Sequence, residues 1–116
     1  MLQANILDVV DEILGVDAFL GVMPDAPDAL TALFEYQASP PQQFFDGTAF
    51  SYAVQVRTRA KTSSDAFARA QYAQNKLDRY SNDFIVIRQT SNILDIGQDD
   101  KARREYTVNF KIDMKG

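Results

Sequence analysis

The ionisable side chains of this 116-residue chain are carboxylates, arginines, lysines and tyrosines, because it contains neither His nor Cys. That removes the Ser-His-Asp and Cys-His nucleophile systems, thiolate or imidazole zinc sites, disulfides and the usual switch near neutral pH. Asp95, Asp99 and Asp100 gather around Gly97 and are the acidic grouping that most suggests a divalent cation. Their spacing does not fit an EF-hand loop, which places oxygen ligands at alternate positions and ends on a distant bidentate Glu. A solvated hairpin loop accounts for them more simply. Asp11 and Glu12 fall on the polar side of a helical pattern, whereas a two-carboxylate hydrolase needs an acid and a base facing each other across a cleft. The five glycines, at 15, 21, 47, 97 and 116, form neither a dinucleotide fingerprint nor a phosphate-cradling loop. The expectation is a chain without catalytic residues, cofactor or metal.

The basic residues form two rows, Arg57, Arg59 and Lys61, and then Lys101, Arg103 and Arg104. Interleaved with Tyr52 and Tyr106, they imitate a sheet that stacks single-stranded nucleic acid. Those tyrosines alternate in phase with Val54 and Val108, however, which marks them as core. The net charge of −4 hides an asymmetry: residues 1–56 carry −8 with no Lys or Arg, and residues 57–116 carry +4. Either the two halves fold against each other and neutralise locally, or one surface is acidic and another basic, as suits subunits stacking head to tail. Overall acidity speaks against a dedicated double-strand DNA binder, which gathers Lys and Arg on one face.

The elements that must position these residues follow from periodicity. Residues 1–14 carry apolar side chains at helical spacing and stop at Gly15. Residues 17–28, with Gly21, Pro24 and Pro27, read as a loop. A short strand is expected over 30–37, ended by Ser39-Pro40-Pro41, and a loop carries the adjacent Phe44 and Phe45, either a satellite cluster or an exposed contact. Residues 50–59 alternate as a half-buried strand. Thr62-Ser63-Ser64-Asp65 begins a helix reaching about Tyr80, its stripe formed by Phe67, Ala70, Ala73, Leu77 and Tyr80. Strands follow at 83–90 and 104–114, around an irregular stretch at 91–101. The fold class expected is α+β: one domain over 1–116, order α-β-β-α-β-β, a mainly antiparallel sheet of about four strands with two helices on one face. The acidic start at Asp8, Asp11 and Glu12 is unlike a secretory signal, and no uncharged apolar run approaches the ~20 residues of a membrane span.

Two segments resemble the minor capsid or tail terminator proteins of long-tailed bacteriophages. The first is LFEYQASPPQQFFDGTAFSYAVQVRTRA, residues 33–60, with the alanine-rich helix after it. The second is IGQDDKARREYTVNFKI, residues 96–112. The likeness spans roughly residues 30–113 and rests on structural strings without catalytic content. It implies a virion protein of the head–tail junction, assembled in the bacterial host cytoplasm. Such a protein would form a homohexameric ring that caps the tail tube, stops its polymerisation and offers a surface to the head-side connector or stopper, while DNA passes without specific binding. Arg57, Arg59, Arg103 and Arg104 are the candidate subunit contacts; Phe44, Phe45, Asp99 and Asp100 are the candidate contacts to other virion proteins. Another neck component, such as a head-completion or stopper protein, and a small single-strand nucleic-acid module are the alternatives.

Overall fold

A computed structural model describes residues 6–36, 42–44 and 47–114, with side chains described for all of these except 42–44 and 47–50. The elements are α1 (Ile6–Leu14), β1 (Phe19–Leu20), β2 (Leu30–Tyr36), β3 (Gln42–Phe44), β4 (Gly47–Ala60), α2 (Ser63–Leu77), β5 (Ile85–Gln89), β6 (Leu94–Gln98) and β7 (Arg104–Met114). The long strands lie in the order β2-β4-β7-β5 and pair antiparallel, which matches the expected sheet of about four mainly antiparallel strands. Three shorter strands correct the expected order. β1 pairs β2 in parallel, so the sheet is mixed. β3 folds back on β4 within the stretch expected to be loop. β6 pairs the first part of β7 and β5 the last part, so both occupy the same flank of β7. β6 escapes a pattern search because its ladder is interrupted by a bulge between Asp95 and Gly97. Gly97 supplies the φ of +94° that the bulge requires.

Alternation decides which face is covered. Val54, Val56, Val108, Phe110 and Ile112 are fully buried beneath the helices. Their registers pair Val54 with Phe110 and Val56 with Val108, the cross-strand contact that stabilises a sheet. α1 adds Ile6, Leu7, Val10 and Leu14 to this core, and Leu77 of α2, Leu33, Ile85 and Ile87 complete it. α1 ends where Gly15, at φ +70°, donates its N–H to the Asp11 carbonyl over 2.7 Å. The Asp11 carboxylate in turn accepts from Ala18 N at 2.8 Å, which gives that acid a structural use.

α2 starts as expected, with the Thr62 hydroxyl accepting from Asp65 N at 3.2 Å. Its buried stripe is Ala66, Ala70, Ala73 and Leu77, one residue offset at the start from the Phe67 stripe. The small residues let the helix backbone approach the sheet, so that Thr58 Oγ1 donates to the Ala66 carbonyl at 2.9 Å and loses no hydrogen bond on burial. Phe67 lies at the edge and packs edge-on to Tyr106, ring centroids 5.5 Å apart. α2 stops at Leu77 rather than Tyr80 because the following residues are used by β5: Arg79 N donates to Ile87 O and Ile87 N to Tyr80 O.

The opposite face is polar and internally paired. Gln55 donates to Asn109 at 3.2 Å, Ser51 to Asp113 at 2.5 Å, and Arg57 to Glu105 at 2.8 Å.

Candidate functional site

Among the described residues, a dense cluster of charge sits at the end of the sheet where β4 finishes and β7 begins. Alternation places Arg57 and Arg59 of β4 on the polar face, opposite Thr107 and Glu105 of β7. The turn from β6 to β7 adds Asp99 and Arg103. Across this corner lies the loop between β1 and β2, which the sequence marks with Pro24 and Pro27.

Arg59 is 3% exposed and spends its guanidinium on that loop, donating to the carbonyls of Pro24 (2.7 Å), Asp25 (3.1 Å), Pro27 (2.6 Å) and Asp28 (3.1 Å). The planar fork of Arg suits such a fan of acceptors, where a point-charge ammonium does not. Arg103, 4% exposed, holds Asp99 at 2.7 Å, Asp25 at 2.9 Å and Asp28 at 3.3 Å, and also donates to the Asp25 carbonyl. Lys101 pairs with Asp25, and Lys61 lies 3.4 Å from Asp28. Asp99 caps the turn, accepting from Lys101 N at 3.0 Å and Arg103 N at 2.9 Å. Burial opposes ionisation of Asp99, but the Arg103 side chain and the two backbone N–H groups outweigh it and hold its carboxyl down at about 2. Hydrogen bonds from Lys101 and Arg103 likewise lower Asp25. The Asp99 hydrogen bond strengthens the hold of Arg103 on its proton.

Of the two readings of the charge asymmetry, local neutralisation describes this corner. Acid from the first half meets base from the second within one chain. Arg57, Arg59 and Arg103 are brought together here. Arg104 stands apart, its Nη2 2.7 Å from Asp95 and its Nε buried without a hydrogen-bond partner. Asp95 and Asp99 are therefore engaged by arginines, and no group of three acidic residues able to hold a metal occurs among the described residues. Asp100 is exposed at the tip of the same turn. Phe44 ends β3, whose partner is the first part of β4. It lies at the other end of the long strand from the arginine corner. The Phe44 side chain and all of Phe45 lie outside the described residues. The sequence reading missed Asp25 and Asp28 as partners of the arginines; two prolines in a short acidic loop were the available signal of a shaped rather than a slack segment. Tyr52 and Tyr106 do pack into the core, with Tyr106 8% exposed, so neither is offered as a stacking platform.

The family model described as "Bacteriophage tail terminator protein" matches residues 4–115. The chain belongs to the bacteriophage tail terminator family. It is thereby a structural, tail-associated protein of the virion, of a family not known for enzymes. Tail terminators meet other tail and head components, and the chain carries that general expectation with it. Among solved structures, a chain of the "Virion of native gene transfer agent (GTA) particle" matches with TM-score 0.59 at 14% identity, over 93% of this chain and 85% of that one. At that identity the likeness is one of fold. No curated protein sequence matches the chain.

Proposed function

We propose that this tail terminator works as a homohexameric ring that caps the finished tail tube, halts its polymerisation and presents its far side to the head-side connector or stopper. The observation that carries the reading is the family match over nearly the whole chain. The distribution of the candidate contacts supports it. The Asp99–Asp100 turn and the arginine corner lie at one end of the β4–β7 ladder, and the Phe44 hairpin lies at the other, along a molecule 51 Å long and 28 × 23 Å across. A subunit standing between two partners needs two separate ends. Arg57 and Arg104, with side chains 38% and 29% exposed, have area left for a neighbour. Arg59 and Arg103 serve such a contact from beneath, by shaping the acidic loop that a neighbour would meet. A heterologous contact closes into a ring when its rotation divides the circle, and DNA passes an acidic subunit without adhering to it.

The test is light scattering over a concentration series, with negative-stain images, repeated in the presence of purified tail tubes. Six-fold rings, in solution or on tube ends, together with tubes that no longer elongate, support the proposal. Wild-type protein that remains monomeric and leaves tube growth unaffected overturns it and favours another neck position.

A further inference from the structure

Between the end of α1, the start of β2 and the outer side of α2 lies a hollow of about 390 Å³, lined by Val16, Ala29, Thr31, Ala68, Tyr72 and the pair Asp65 and Arg69. Its lining is mainly apolar, and Asp65 and Arg69 are the charged residues in it. On the opposite flank of the sheet, just before β5, Phe84 is 70% exposed, the most exposed of the large apolar side chains among the described residues. It is not on a slack segment: Asn82 Oδ1 accepts from Phe84 N at 2.8 Å and from Ile85 N at 2.9 Å, fixing the turn that presents the ring. A single exposed Phe is ordinary on a protein surface. An apolar hollow on one flank and an apolar knob on the other flank of the same chain are the two halves of a heterologous contact.

We infer that Phe84 of one copy seats in the Val16–Ala29–Ala68–Tyr72 hollow of the next, forming the side-to-side contact of the assembly. Charge agrees with this occupant. Arg69, which lines the hollow together with Asp65 at the first turn of α2, and Asp83 beside the knob make no ion pair within the chain, among the described residues. Docking brings these opposite charges together, and they set orientation. An aromatic ring entering an apolar pocket is the kind of anchor that carries most of an interface's affinity. The inference rests on the ring reading above, and it places the adhesive contact on an apolar knob rather than on the arginine corner.

The absence of cysteine allows a direct test. A variant carrying Asp83→Cys and Ala68→Cys, with Phe84 kept, is treated with a short bis-maleimide in whichever setting, solution or tube end, the wild type assembles. The expected result is a ladder of cross-linked multimers, absent from either single variant. Phe84→Ala and the hollow-filling Ala68→Trp, both at exposed positions, each weaken self-association about 30-fold. Mixing the Phe84→Ala and Ala68→Trp proteins restores one contact per pair and stops at a dimer. Asp83→Arg weakens assembly, and adding Arg69→Asp restores it. If wild type assembles while Phe84→Ala assembles equally well and no ladder forms, the knob is overturned and the ring reading stands. If wild type assembles neither in solution nor on tubes, both fall.

Discussion

Arg59 and Arg103 show why a buried cation in this chain is tolerated. Each is desolvated, and a desolvated charge is stable only when its donors are used. Arg59 uses its donors on backbone carbonyls and Arg103 on three carboxylates and a carbonyl. Arg59→Ala removes the group that holds four loop carbonyls. It is expected to cost about 2–3 kcal/mol, the range for losing charged hydrogen bonds whose acceptors can partly rehydrate. Hydrogen exchange should rise across residues 21–29, with only partial rescue in Arg59→Lys, because one ammonium cannot span the fan of carbonyls. Unchanged exchange in Arg59→Ala would remove the latch role. Asp99 sets an acid limit. Its carboxyl is held at about 2 in the folded chain against an ordinary 3.8. The stability it contributes is therefore complete above about 3.8 and is lost as pH falls through about 2. Thermal melts should show this loss between about pH 4 and 2, and Asp99→Asn should flatten that part of the profile while lowering stability at neutral pH.

At the scale of elements, two local devices decide where the chain turns. The Thr62 cap holds the first turn of α2 directly after β4 ends, and Thr62→Ala is expected to lower stability by about 1 kcal/mol in denaturant unfolding. The bulge in β6 depends on the backbone of Gly97. A Cβ built there meets nothing within 4 Å, so crowding plays no part in its replacement. Gly97→Ala still places an L side chain at φ +94° and should cost about 1–2 kcal/mol. A neutral outcome would mean that the bulge relaxes and that the β6–β7 register is loosely held.

For the whole molecule, the electrostatic and apolar contacts respond differently to salt. The corner that joins the acidic loop to the sheet combines the buried guanidinium groups of Arg59 and Arg103 with the more exposed ion pairs of Lys61 and Lys101. At 1 M salt the Debye length is about 3 Å, so the partly exposed pairs of Lys61 and Lys101 lose most of their attraction. The Phe84 contact buries apolar surface and does not weaken in the same way. Raising salt is therefore expected to loosen the 21–29 loop, read by hydrogen exchange, without dissolving an assembled ring. Rings that break apart in salt while the loop stays protected would place the adhesive contact on Arg57 and Arg104 instead.

The two helices, the four long strands and the faces that β4 and β7 bury were legible in the residues, because period 3.6 and period 2 are local patterns. Val54, Val56, Val108 and Phe110 declare their side through their neighbours in the chain. The short strands were not legible: β1 has two residues, β3 lies in a stretch marked by turn residues, and β6 is broken by a bulge. Each forms because a longer partner offers an unpaired edge. The end of α2 moved from Tyr80 to Leu77 for the same reason, since β5 takes up the backbone groups of residues 79 and 80. Composition and charge runs showed that acid and base are segregated along the chain, yet two opposite arrangements satisfy that segregation. Only folding brings Asp25 and Asp28 onto Arg103, residues 78 and 75 positions apart, and carries Phe84 and the Ala68 hollow to opposite flanks. Pairings at such separations depend on strand order, which no stretch of neighbouring residues encodes.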